Sequence, residues 1–228
     1  MEQFDDFSDE RNKIFCPYCG RTTEPRSRDH VPSKVLLDKP YPPELPIIYP
    51  CRKCNSSYSK DEEYVPCFIE CARVGSTDMG KIQREKIRRI LQKHPMLATK
   101  LCKEIELLKY GKFLGETANR IERLILKLAR GHAAFELGEP ELNKPTTLIF
   151  TPLAVMTADQ LDFFEFSPKF RLFAEIGSRA MQRQVQTATG AAEWVCVQPG
   201  RYRYLTQYDE RTKIRIVMSE YLACEVVW

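Results

Sequence analysis

Apolar positions recur at helical spacing through the middle of the chain, and this pattern predicts two helices between about Asp78 and Leu137. In the first, Ile87, Ile90, Leu91, Leu97, Leu101, Ile105 and Leu108 keep one face, with an interruption expected at His94-Pro95. A break near Gly111 to Gly115 precedes the second. There Ile121, Leu124, Ile125, Leu128, His132 and Phe135 share a face, while Arg120, Arg123, Lys127 and Arg130 form a separate stripe.

Beyond about Thr146 the period shortens. Thr147 to Phe150, Trp194 to Val197, Tyr202 to Thr206, Lys213 to Met218 and Tyr221 to Val227 read as strands, with turns at Pro199-Gly200 and Asp209-Glu210. Lys213, Arg215 and Val217 alternate with Ile214, Ile216 and Met218, which predicts an antiparallel strand covered on one face. A helix over Leu172 to Gln184 is expected to pack on this sheet.

The first part of the chain has neither period. Pro40, Pro42, Pro43, Pro46 and Pro50 exclude a regular helix between Leu37 and Cys51. A helix is expected to begin within Cys54 to Ser59, with Ser59-Lys60-Asp61-Glu62 as a capping box and a kink or early stop at Pro66. The pattern divides the chain into 1–75, a helical region 76–144 and a β-rich region 145–228, an α+β protein overall.

Composition bounds the setting. A content of 43% apolar residues supports an ordinary core. The acidic start Met1-Glu2-Gln3-Phe4-Asp5-Asp6 lacks the features of a secretory signal, and the longest apolar-leaning stretch is too short to span a membrane, so a soluble cytoplasmic protein is expected. The formal charge of +4 is unevenly spread: Lys81 to Lys109 holds nine lysines and arginines against Glu85, Glu104 and Glu106. That segment is a candidate for phosphate contacts.

Nine cysteines cannot all pair within one chain. Cys16 and Cys19, then Cys51 and Cys54, form two Cys-x-x-Cys pairs with 31 residues between them. In a reducing compartment such pairs are thiolate metal ligands, and four of them suit a closed, tetrahedral, structural zinc site. The remaining Cys67, Cys71, Cys102, Cys196 and Cys224 are expected to be small buried hydrophobes.

Between the pairs lies Arg28-Asp29-His30-Val31-Pro32, and Asn55 follows the last cysteine directly. Asp29 offers a hard oxygen ligand beside an imidazole that titrates near neutral pH, and Asn55 offers a further oxygen at a helix start. The plainer alternatives are a polar turn beside a zinc knuckle for Asp29 and His30, and helix capping for Asn55.

These residues resemble the HNH family of ββα-metal nucleases, in the variant with two Cys-x-x-Cys zinc knuckles, over Cys16 to about Tyr64. Arg28-Asp29-His30-Val31-Pro32-Ser33-Lys34 is similar to the first catalytic strand of that family, and Cys51 to Asn55 followed by Ser59 to Tyr64 is similar to its helix. The resemblance implies an N-terminal treble-clef ββα module and a metal-dependent endonuclease. His30 is then the general base, and Asp29 and Asn55 hold a catalytic Mg2+ or Mn2+. DNA is the expected partner, with RNA left open, and bacterial or phage defence systems are the implied setting. The middle Asn of the family has no counterpart in Glu44 to Pro50, where a backbone carbonyl would have to orient His30 instead.

The alternative reading is a catalytically silent zinc module that binds nucleic acid or a protein partner. Arg52, Lys53 and Lys60 are candidates to hold phosphate, as are Arg120, Arg123, Lys127 and Arg130 if that stripe is more than a solvated helix face. His132 is expected to be a core histidine and His94 a loop residue. Tyr202, Tyr204 and Tyr208 are expected to pack in a hairpin rather than stack on bases.

Overall fold

The structure is a computed structural model that describes residues 14–43, 45–108, 113, 115–167, 176–186 and 192–228. The protein is α+β. Strands β1 (Asp29–His30) and β2 (Ile47–Ile48) pair antiparallel, with Asp29 opposite Ile48 and His30 opposite Ile47. Helices α1 (Arg52–Ser57) and α2 (Ser59–Val74) follow at once.

The α1 helix starts earlier than the predicted window because Cys51 caps it, its Sγ accepting from the Cys54 amide. The expected capping box at Ser59 does not form. Tyr58 is itself helical, so its carbonyl already takes the Asp61 and Glu62 amides at 2.9 Å each, and the Ser59 hydroxyl donates back to Ser56 O. Nor does α2 stop at Pro66. The turn around it, Val65 to Cys71, is buried, and that packing outweighs the lost amide. Gly75, in the left-handed conformation at φ 65°, ends the helix.

Helices α3 (Glu85–Lys93) and α4 (Pro95–Leu108) meet at the predicted interruption, with His94 closing α3. The α5 helix (Gly115–His132) continues into a π-helical turn over Ala133–Leu137. Strands β3 (Thr147–Pro152), β4 (Val195–Gln198), β5 (Tyr202–Asp209), β6 (Arg211–Met218) and β7 (Leu222–Val227) form one antiparallel sheet in the order β3-β7-β6-β5-β4. Helices α6 (Ala158–Glu165) and α7 (Arg179–Gln186) lie between β3 and β4 in sequence. The α7 helix falls within the predicted C-terminal helix, the start of which lies outside the described residues.

One apolar core joins all three regions. It runs from Leu36 and Leu37 through Val65 and Phe68 of α2, Ile87 and Leu91 of α3, Leu101 of α4 and Ile121 to Leu128 of α5, and on to Ile214, Ile216 and Met218 of β6. The expectation of one covered face on β6 needs correcting. Val217 on the opposite face is buried with Phe164 of α6 and Ala223, and Arg215 is 3% exposed. Arg215 is tolerated there because it pairs with Glu225 at 2.7 Å and donates to Phe164 O and Phe166 O at 2.9 Å.

Asp38 ties the proline-rich loop to both neighbours. It accepts from Arg84 at 2.8 Å and from Arg201, while its backbone exchanges hydrogen bonds with the Gln198 side chain. Burial would raise the Asp38 carboxyl, but the Arg84 and Arg201 guanidiniums prevail and hold it below the usual carboxylate range.

Three of the five unpaired cysteines, Cys67, Cys71 and Cys224, are buried as expected, and burial pushes the Cys67 and Cys71 thiols up to about 12. Cys102 and Cys196 are exposed, contrary to expectation. Each follows an inward residue of its element, Leu101 on α4 and the half-buried Val195 on β4, and so faces outward. His132 is the core histidine predicted: fully buried, bonded to the Tyr202 hydroxyl at 2.8 Å and stacked on Tyr204.

Candidate functional site

The Cys16, Cys19, Cys51 and Cys54 sulfurs all lie within 4.8 Å of one another, with Cys19 and Cys51 3.9 Å apart. Tetrahedral zinc with bonds of about 2.3 Å places its sulfurs roughly 3.8 Å apart, so the cluster has the dimensions of a zinc site. Backbone amides support the sulfurs: Tyr18 and Cys51 donate to Cys16 Sγ at 3.4 and 3.3 Å, and Cys54 to Cys51 Sγ at 3.4 Å. Burial pushes the Cys16 and Cys54 thiols up, a penalty on the bare thiolate that a coordinated cation reverses. Under the cluster, Tyr18, Val31 and Ile48 form a small core with Cys16 and Cys51. The two knuckles are therefore locked to the β1–β2 pair.

This pairing places Asp29 and His30. Asp29 is 8% exposed, and its Oδ2 accepts from the Tyr18 hydroxyl at 2.9 Å. His30 is half-buried beside it and lines a cavity of about 380 Å³ together with Asp29, Ser33, Lys34, Glu62 and Lys86. Desolvation lowers the pKa of His30 below 6.5, Lys34 and Arg28 lower it further, and Asp29 opposes them. At neutral pH the ring is therefore a free base. Its Nδ1 is buried without a partner, so no carbonyl among the described residues plays the orienting part that the sequence left open, and Glu44 lies outside them.

Asn55 stands apart. Its side-chain amide donates to Ser27 Oγ at 3.1 Å, and it does not line the cavity that Asp29 and His30 share. The α2 helix supplies Glu62 and Glu63 to that wall instead. Sequence reasoning assigned these residues to the helix start and gave them no role at the site.

The basic stripe of α5 is paired with carboxylates and carbonyls, with Lys127 buried, Arg120 and Arg130 half-buried and Arg123 exposed. Arg120 and Arg123 pair with Asp61 at 3.1 and 2.8 Å, and Arg130 donates to the carbonyls of Tyr18, Leu142 and Asn143 at 3.1 Å. Lys127 is 1% exposed; its ammonium lies 2.9 Å from Asp29 Oδ2, bonds Glu62 Oε1, and is 3.2 Å from Ser33 Oγ. A solvated face is thus corrected to an ion-paired seam, because the carboxylates of β1 and α2 need cations where α5 packs over them. Arg52, Lys53 and Lys60, by contrast, are exposed on α1 and α2.

Lys60 also lines a second, open cavity of about 580 Å³ with Lys93, His94 and Arg120. Ser59 and Glu63 line both cavities, so the two adjoin along the first turns of α2. Among the described residues, no helix is long and apolar enough to cross a membrane. Comparison with protein-family models, with curated proteins and with solved structures gave no match, so the likeness to HNH nucleases rests on Cys16 to Tyr64 alone.

Proposed function

We propose that the protein is a metal-dependent endonuclease of the HNH kind, hydrolysing phosphodiester bonds of DNA, with a structural zinc on Cys16, Cys19, Cys51 and Cys54. The observation that carries this reading is the presence of Asp29 and a neutral His30 in one cavity whose walls also hold Arg28, Lys34 and Lys86. A carboxylate, a base and cations around a common space suit hydrolysis of a polyanion.

His30 accepts a proton from water as the water oxygen attacks phosphorus, and the bond from phosphorus to the leaving oxygen breaks in line. Lys34 and Lys86 hold the substrate phosphate against the cavity wall. Asp29 would hold a divalent ion, Mg2+ or Mn2+ by the hardness of its oxygen ligands, together with a second oxygen for which the sequence offers Asn55. When bound, that ion supplies charge neutralisation at the scissile phosphate and the leaving oxygen. The adjoining groove with Lys60, Lys93 and Arg120 gives phosphates beyond the scissile one a place to lie.

One observation favours the rival reading, a catalytically silent zinc module: Asp29 already spends one oxygen on Lys127 and Tyr18. Incubation of plasmid DNA and of RNA with the protein and Mg2+ or Mn2+ separates the two. Cleavage that stops with EDTA and in His30→Ala is expected. Cleavage undiminished in His30→Ala removes the assigned base, and no cleavage of either nucleic acid favours the silent module.

A further inference from the structure

Pro95 divides the helical run from Glu85 to Leu108. Having no amide to give, it starts α4 instead of continuing α3, and the His94 carbonyl takes the Leu97 and Ala98 amides at 2.9 and 3.3 Å. The break leaves His94, Pro95 and Met96 exposed, Met96 at 87%. One exposed methionine is ordinary on a protein surface. Here, however, it lines the cavity of about 580 Å³ beside His94, Pro95 and Leu97, together with Lys60 and Lys93.

Of the cations in that lining, Arg120 is taken up by Asp61 and Glu116, whereas Lys60 and Lys93 make no ion pair among the described residues. Glu63 is the one acid set against them. It lies 3.8 Å from His94 Nε2 and, like Ser59, also lines the His30 cavity. Apolar surface and unpaired cations therefore stand directly beside the proposed general base.

A duplex offers such a place only its phosphates and groove edges, because its base faces are stacked inside the helix. A single strand offers both parts: bases free to stack on imidazole and apolar side chains, and phosphates for the lysines. We propose that the protein engages single-stranded DNA, with one unpaired base packed against His94, Pro95 and Met96 and the flanking phosphates on Lys60 and Lys93. This rests on the nuclease reading for the strand to be cut at His30, and names the form of that substrate.

The test is fluorescence anisotropy of the full chain with a labelled single strand of about 12 nucleotides and with a hairpin duplex of the same composition. No Mg2+ or Mn2+ is added, so that neither is cut. The single strand is expected to bind at least about tenfold more tightly. Met96→Ala and His94→Ala should each weaken it about fivefold or more and the duplex less than about twofold, while Met96→Phe keeps the single-strand affinity. Lys60→Gln should weaken both forms and reduce the salt dependence. All three positions are exposed, so zinc content and circular dichroism should stay those of the wild type. Equal affinity of the wild type for the two forms overturns the proposal. So do an undiminished preference in the His94→Ala, Met96→Ala double variant, no binding of the single strand, and tighter binding of single-stranded RNA of the same sequence. If the binding pattern holds but nothing is cut, the nuclease reading falls and the stacking site stands. If duplex and single strand are cut equally, and the double variant cuts as well as the wild type, the reverse follows.

Discussion

The ammonium of Lys127 lies 2.9 Å from Asp29 Oδ2, although the two residues are 98 positions apart and belong to different regions of the chain. Asp29 follows the first Cys-x-x-Cys pair, and Lys127 lies in α5. The same nitrogen also reaches Glu62 on α2, so a single buried cation joins β1, α2 and α5.

Replacing Lys127 by Met is expected to lower stability by about 3–5 kcal/mol, because two largely buried carboxylates lose their shared counter-charge. Denaturant unfolding reads this. Adding Asp29→Asn and Glu62→Gln to Lys127→Met should recover a good part of the loss. No recovery would show that the cost lay in packing of the lysine stem.

Gly131 packs so closely on the strand region that an added Cβ would lie 2.7 and 3.0 Å from the two Val31 methyls. Gly131→Ala should therefore destabilise by roughly 1–3 kcal/mol despite the better helix propensity of alanine. A Val31→Ala change in the same chain should relieve part of it. Equal or greater stability in Gly131→Ala would contradict this contact.

The buried imidazole of His132 sets a pH dependence with a definite sign. Burial lowers its pKa from 6.5 to about 3, with the Arg183 charge adding to the effect. Above pH 6.5 the ring is neutral in both states and contributes no slope. Between 6.5 and about 3 the unfolded chain takes up a proton that the folded one refuses, so stability falls by about 1.4 kcal/mol per pH unit as pH drops. The wild type minus His132→Leu difference in stability, measured across that range, should show this slope. A flat difference would mean that the ring protonates in place.

Metal analysis of freshly purified protein should find about one zinc per chain. Strong chelation, or Cys51→Ser, should open the first knuckle, Cys16 to Gly20, to proteolysis, since the small core of Tyr18, Val31 and Ile48 is what it packs on. Protease resistance that survives metal removal would make the four thiols an ordinary buried cluster.

The sheet was legible strand by strand because alternation is a local signal, as in Lys213 to Met218, and β4 to β7 fall within a few residues of the pattern. The α5 helix was equally legible from Ile121 to Leu128, but the direction of its charges was not. Arg120 has one partner within its own helix, Glu116, but the Asp61, Asp29 and Glu62 carboxylates that meet Arg120, Arg123 and Lys127 lie 59 or more residues away, and periodicity carries no information on what packs over a polar face. The four cysteines and the Asp29-His30 pair could be read from spacing and residue chemistry. Glu62 could not, since the same Ser59 to Glu62 string also spells a helix cap, and only the approach of Ser33 and Lys127 distinguishes the two uses.

The seam on α5 also limits how far the cysteine-rich part can travel alone. A fragment of residues 14–75 grafted onto another scaffold would carry its own sulfur ligands, yet it would leave Asp29, Asp61 and Glu62 without the three cations that meet them here. Its heritable unit is therefore longer than its motif. Any recombination that moves the knuckles to a new host protein has to bring a helix bearing the spacing of Arg120, Arg123 and Lys127, or replace those carboxylates on arrival.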